Sequence, residues 1–204
     1  MPFPAVLDLA SLDGTNGFRV VGSDPSIRGI ASVAAAGDVN GDGIGDIVLG
    51  DPDGGWTGFG GAAYVVFGSS ADFDAIFDLA SLDGQTGFRF TIGGPNYLLG
   101  STVAGAGDFD GDGIDDFMVS TKYRGLELTF LVYGSTGHWP ATLFPGQVDM
   151  LQISNRSGIE AGASLAGAGD VNGDGVHDII VGSGRTVTSS FPGWTHVLFG
   201  AAGR

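Results

Sequence analysis

The segment Asp38-Val-Asn-Gly-Asp-Gly-Ile-Gly-Asp46 is written twice more, as Asp108-Phe-Asp-Gly-Asp-Gly-Ile-Asp-Asp116 and Asp170-Val-Asn-Gly-Asp-Gly-Val-His-Asp178. Each copy places Asp or Asn at positions 1, 3, 5 and 9 and glycine at positions 4 and 6. Side-chain oxygens at alternate positions of a loop that turns sharply at glycine suit a hard divalent cation. Ca2+ takes roughly six to eight oxygens in flexible geometry and accepts backbone carbonyls among them. The expected ligands of the first loop are Asp38, Asn40, Asp42, the carbonyl of Ile44, and Asp46. Those of the second are Asp108, Asp110, Asp112, the Ile114 carbonyl and Asp116, and those of the third are Asp170, Asn172, Asp174, the Val176 carbonyl and Asp178. Water completes each shell, and the chain is expected to hold about three Ca2+, one per loop.

Rival readings fare worse. An EF-hand needs a bidentate glutamate at position 12, where Leu49, Val119 and Val181 stand, and the flanks are β-like. Mg2+ usually keeps several waters and is not held by dedicated protein cages. The chain has no cysteine, and an all-oxygen set disfavours zinc. Asp, Asn and Gly also make ordinary turns, but three copies with the same ligand positions favour a metal. The second loop offers four carboxylates at ligand positions, with Asp115 beside them. It is expected to bind tightest, because ligand charge tunes affinity.

The repeat extends outward from the loops. Phe67-Gly68, Tyr133-Gly134 and Phe199-Gly200 recur every 66 residues, each closing an apolar run at 62–67, 128–133 and 196–199. Small-residue runs precede the loops at 30–37, 101–107 and 163–169, and short apolar runs follow at 47–49, 117–119 and 179–181. Leu9-Ala-Ser-Leu-Asp-Gly14 with Gly17-Phe-Arg19 returns as Leu79-Ala-Ser-Leu-Asp-Gly84 with Gly87-Phe-Arg89. Short runs bounded by Gly, Asp and Pro, without helical periodicity, read as strands. Four strands per unit at a period of 60–70 residues read as propeller blades. The expected fold is all-β: three blades of four antiparallel strands in one domain, 1–204, with units near 1–68, 69–134 and 135–204. The fourth strands fall near 18–21, 88–92 and, in degenerate form, 150–154. The first precedes every other strand and the last unit lacks its own. A closed propeller typically needs 4–8 blades, so head-to-tail homodimerisation into a six-bladed ring is the expected assembly.

Composition bounds the rest. The chain has 204 residues, 43% hydrophobic and 15% charged, enough for a real core. Its net charge of -15 argues against nucleic acid and against an anionic membrane surface. The three loops hold 11 of the 23 acidic residues, and three divalent cations would bring the charge to -9. Part of the acidity is therefore site chemistry. No apolar run is long enough for a transmembrane helix, and Met1-Pro-Phe-Pro4 has no signal-peptide character.

Acidic loops between strands, followed by an apolar strand and a closing Phe-Gly, resemble the FG-GAP repeat, the blade of the integrin α-subunit β-propeller and its bacterial relatives. The resemblance covers nearly the whole chain. It implies calcium at the fifteen loop positions named above and an extracellular or cell-surface setting. The family's Gly-Ala-Pro element is approximated by Gly50-Asp51-Pro52, is absent at Ser120-Thr121-Lys122, and keeps only its glycine at Gly182-Ser183-Gly184. No Arg-Gly-Asp string is present, so integrin-like ligand binding is not carried over in detail.

No catalytic constellation emerges. His138, His177 and His196 stand apart from any nucleophile motif, and no Gly-x-Ser-x-Gly elbow, phosphate loop or dinucleotide fingerprint occurs. His177, at loop position 8, is expected to be exposed. Trp56 and Phe59, within Gly54-Gly-Trp-Thr-Gly-Phe-Gly60, are candidates for stacking on a sugar or anchoring a partner, and Trp139 and Trp194 lie in other loops; that these rings cover the edge of the core is at least as well supported. The expected function is a non-enzymatic, calcium-braced scaffold for protein binding or adhesion. The alternatives are a lectin-like propeller and an accessory module of a larger secreted enzyme or adhesin.

Overall fold

The computed structural model describes residues 7–22, 24, 26–54, 60–94, 97–123, 126–154, 161–183 and 193–203. In chain order the strands are β1 (Arg19–Val21), β2 (Ser32–Gly37), β3 (Asp46–Asp51), β4 (Ala62–Val66), β5 (Ile76–Asp78), β6 (Gly87–Phe90), β7 (Val103–Gly107), β8 (Asp116–Tyr123), β9 (Leu126–Val132), β10 (Thr142–Leu143), β11 (Met150–Ser154), β12 (Ser164–Gly169), β13 (Asp178–Gly182) and β14 (Thr195–Leu198). Among the described residues, helix is confined to two single 3-10 turns, Leu9–Ser11 and Leu79–Ser81, capped by the carboxylates of Asp8 and Asp78. No helix among the described residues is long and apolar enough to cross a membrane.

The strands form an all-β, propeller-like series of antiparallel sheets. The first sheet runs β2-β3-β4-β6, the second β7-β8-β9-β11 and the third β12-β13-β14. The fourth strand of each complete sheet comes from the stretch after its Phe-Gly or Tyr-Gly dipeptide, so 87–90 and 150–154 take the places the sequence predicts. Two features were not expected. β10 adds to the outer edge of β6 in parallel, pairing Thr142 with Arg89 and Leu143 with Phe90. β5 adds to β1 in the same sense, pairing Arg19 with Ile76 and Val20 with Phe77. The β8–β9 hairpin also continues past the short apolar runs, as far as the Tyr123–Leu126 pair.

Residue size explains the order within a sheet. The innermost strands β2, β7 and β12 are Ser, Ala and Gly apart from one aliphatic residue each, Val33, Val103 and Leu165, and they pack side by side. A Cβ added at Gly105 of β7 would lie 2.6 Å from the Ala35 carbonyl of β2, so larger side chains would push these strands apart. The middle strands carry the β-branched and aromatic residues that fill a pleated, doubly covered surface. Every residue of β4 is buried.

The core lies between sheets. Val48, Val65, Phe88 and Phe90 of the first sheet meet Phe117, Val119 and Phe130 of the second. Phe88 stacks on Trp139 at 4.5 Å between ring centroids, and Phe90 meets Phe130 edge-on at 5.7 Å. A second cluster joins Met118 and Leu131 to Ile179 and Val181 of the third sheet. Each such fully buried side chain contributes about 1.5–3 kcal/mol by leaving water. Trp139 lies in a loop, as expected, and its ring belongs to the first of these clusters. It is buried, and its indole N–H donates to the Ser135 carbonyl at 3.1 Å.

Candidate metal centre

All three acidic loops sit at the same corner, joining the innermost strand of a sheet to the next: β2 to β3, β7 to β8, β12 to β13. The entering strand is bulged just before the loop, at Gly37, Gly107 and Gly169. Glycines 4 and 6 then take left-handed backbone angles, with φ of 73° and 86° at Gly41 and Gly43, 74° and 91° at Gly111 and Gly113, and 78° and 91° at Gly173 and Gly175. A side chain at these positions would be strained. The result is a tight coil whose amides point inward at the carboxylates.

In the first loop Asp38 Oδ1 accepts from Asp42 N at 3.0 Å and Oδ2 from Gly43 N at 2.7 Å. Asn40 Oδ1 accepts from Asp42 N at 2.9 Å, and Asp42 Oδ1 from Ile44 N at 2.8 Å. The second loop repeats these four bonds through Asp108, Asp110 and Asp112 at 2.9–3.3 Å. The third repeats them through Asp170, Asn172 and Asp174. In the first and third loops the Asn amide also donates to the position-5 carboxylate. Positions 1, 3 and 5 are thus converged by the backbone. In the second loop, oxygens of Asp108, Asp110 and Asp112 all lie within 4.8 Å of one another. Three carboxylates held that close repel unless a cation or protons intervene, and their all-oxygen character fits a hard divalent ion.

Position 9 has a second role that the ligand pattern alone does not disclose. Asp46 Oδ2 accepts from Val39 N at 2.9 Å while Oδ1 accepts from Gly68 N at 2.8 Å. Asp116 does the same with Phe109 N and Gly134 N, and Asp178 with Val171 N and Gly200 N. The glycine of each Phe-Gly or Tyr-Gly pair is therefore the amide that ties the loop's last aspartate to the end of the third strand. Burial is the largest influence on two of these carboxyls, pushing Asp46 up to about 6 and Asp116 up to about 7; their amide partners pull the other way, and the neighbouring loop aspartates add to the rise. Asp170 is exposed and held below the usual carboxylate range, chiefly by the Gly175 amide.

The loops differ in cover. Asp110 is buried, Asn40 half-buried and Asn172 exposed. The residue at position 8 reaches the preceding sheet: Asp115 Oδ2 accepts from Asp38 N at 2.9 Å, and His177 Nδ1 accepts from Asp108 N at 3.0 Å. His177 is exposed, as expected, yet it is also an inter-sheet contact, which its place in the ligand spacing did not reveal. Trp194 is about half exposed, and its ring lies 15° from parallel with that of His196, 6.5 Å between centroids. Trp56 and Phe59 lie outside the described residues.

The FG-GAP repeat profile matches residues 161–190, which include the third loop and its flanking strands. The chain is 31% identical over 157 residues to integrin alpha-4 of Xenopus laevis, a match that covers 75% of the chain and 14% of that protein. It is 30% identical over 171 residues to integrin alpha pat-2 of Caenorhabditis elegans, covering 76% of the chain and 13% of that protein. The match to integrin alpha-7 of Mus musculus is 29% over 167 residues, 80% of the chain and 13% of that protein. The chain is an integrin α-like FG-GAP repeat protein. It spans a small part of the length of these relatives, and its repeats place an acidic loop, a buried position-9 aspartate and a closing glycine in the same relation three times.

Proposed function

We propose that this FG-GAP chain is a non-enzymatic, calcium-braced propeller module that presents its surface to a protein partner in an adhesion-type, extracellular or cell-surface role. The observation that carries the calcium assignment is the convergence of Asp108, Asp110 and Asp112 within 4.8 Å on a loop whose hydrogen-bond scaffold recurs in the other two. Positions 1, 3 and 5 of each loop, together with the carbonyl of position 7 and the free lone pairs of position 9, supply the oxygens. Ca2+ fits better than Mg2+ because the loop offers several protein oxygens and a deformable cage. The likeness to integrin α chains supports the adhesion role.

On this reading the cation neutralises carboxylates that the fold forces together. Binding to the folded state alone then stabilises by RT ln(1 + [L]/Kd), about 2.7 kcal/mol per site at a hundredfold excess over Kd. The test is thermal unfolding of a metal-free sample in chelator and in millimolar Ca2+. A melting temperature that rises by many degrees with Ca2+ supports the reading; an unchanged one refutes it.

A further inference from the structure

Adjacent sheets are joined by a repeated stitch. Between the first and second, Asp115 N donates to Asp38 O at 3.1 Å and Ser135 N to Val39 O at 3.0 Å. Between the second and third, His177 N donates to Asp108 O and Ala201 N to Phe109 O, both at 3.1 Å. The following sheet thereby covers position 2 of the preceding loop: Val39 is 0% exposed and Phe109 8%, but Val171 of the third loop is 58% exposed. A Cβ on Gly41 or Gly111 would strike Thr136 or Ala202 of the next sheet, whereas one on Gly173 would meet nothing within 4 Å. At the other end of the row, Val33 of β2 is 67% exposed although its counterpart Val103 of β7 is 5% exposed. The two end faces are therefore uncovered versions of one internal interface.

The sheet edges match in the same way. β4 is completed by β6 and β9 by β11, but β14 has no outer strand among the described residues. Val197 of β14 is 46% exposed where the equivalent Val65 and Leu131 are fully buried. Meanwhile β1 has the build of β6 without the sheet. Gly14 N donates to Gly17 O at 2.9 Å as Gly84 N does to Gly87 O at 2.8 Å, and Arg19 N meets Ala75 O at 3.0 Å as Arg89 N meets Ala141 O. Phe18 stacks on Phe73 at 4.3 Å as Phe88 stacks on Trp139. β1 pairs on one side with β5, and its other side, which in β6 faces β4, meets no strand among the described residues.

We propose that these edges are filled by a second copy of this chain. β1 of one copy pairs antiparallel with β14 of the other, and reciprocally, so the two rows of sheets close into one two-fold ring. The β4–β6 pairs, Val66 with Gly87, Val65 with Phe88, Tyr64 with Arg89 and Ala63 with Phe90, fix the register. It sets Leu198 against Gly17, Val197 against Phe18, His196 against Arg19 and Thr195 against Val20. The end faces then meet, with Gly45 N and Ser69 N donating to Asp170 O and Val171 O of the other copy, as their counterparts do within the chain. An unpaired edge flanked by apolar residues invites strand addition, and the sequence on β1 is the one the β14 edge is shaped to take. The inference rests on sheet edges and stands apart from occupancy of the metal loops.

Light scattering of the purified 204-residue chain at micromolar concentration is expected to give twice its 20.6 kDa mass; a monomer overturns the proposal. Val197→Pro removes an amide that faces the open edge, since the equivalent strand directs Phe67 N toward Thr86 O. It should weaken self-association about tenfold or more while leaving the β13–β14 pairing intact. The chain has no cysteine, so Arg19→Cys mixed with His196→Cys reports register directly. Oxidation should give a covalent heterodimer from the mixture and none from either variant alone. A dimer that tolerates Val197→Pro and forms no such cross-link overturns the edge assignment. So does an internal disulfide within a monomeric Arg19→Cys, His196→Cys double variant.

Discussion

Gly134→Ala isolates the link between the closing dipeptide and the metal loop. The Gly134 amide donates to buried Asp116 Oδ1 at 2.8 Å. A Cβ there would sit inside contact distance of the Asp115 carbonyl, 2.6 Å from Ile114 Cγ2 and 3.1 Å from the Val39 carbonyl of the neighbouring sheet. Two of these neighbours are backbone, so relief requires strand β9 or the loop itself to move. Overpacking of this kind costs about 1–3 kcal/mol, and lengthening a hydrogen bond to a buried carboxylate adds about 1.5 kcal/mol. We expect a loss of roughly 2.5–4.5 kcal/mol in urea unfolding at saturating Ca2+, together with weaker Ca2+ binding because Asp116 is displaced. Gly113→Ala is the control. Its φ of 91° makes alanine strained, but nothing lies within 4 Å of its Cβ, so it should cost only about 1–2 kcal/mol. If Gly134→Ala proves no worse than Gly113→Ala, the closing glycine is not there to bring its amide to Asp116.

Asp110→Asn, which lowers the charge of the second loop while keeping an oxygen, should weaken that site by at least about threefold in a Ca2+ titration; a smaller change counts against charge as the tuning variable. Phe88→Ala, at a fully buried ring stacked on Trp139, should cost about 3–5 kcal/mol in denaturant unfolding. Asp51 is buried, and desolvation pushes its carboxyl above 3.8. Below 3.8 both folded and unfolded chains hold its proton; as pH rises past that value the unfolded chain ionises first, so stability falls until the folded carboxyl also ionises. Asp51→Asn should therefore show a shallower fall of stability with rising pH than the parent, read by urea unfolding at several pH values; parallel curves would contradict the burial effect.

The fold was largely legible because its signals are local and repeated. Three loops with paired glycines, three closing aromatic-Gly dipeptides and runs of Ala and Gly each announce one strand boundary. What escaped depends on contacts between units. β5 and β10 are two or three residues long, and they exist because β1 and β6 offer an outer edge, which no pattern within Ile76–Asp78 or Thr142–Leu143 discloses. Trp139 lies in a loop, as its Gly-His-Trp-Pro setting reads, but only the fold shows that Phe88 is the ring it stacks on. Position 9 reads as a ligand from spacing alone; its tie to the closing glycine spans 22 residues in the first repeat and 18 in the second. The 66-residue recurrence of those dipeptides was the available hint. The position-8 contacts of Asp115 and His177 likewise depend on the sheet next door.

The central claim is that the acidic loops exist to hold calcium, and isothermal titration of the rigorously metal-free chain with Ca2+ tests it most directly. We expect about three Ca2+ per chain, with Asp110→Asn altering one class of site and leaving the other two in place. Absence of calcium binding, or a stoichiometry that Asp110→Asn leaves wholly unchanged in affinity and number, would contradict the account.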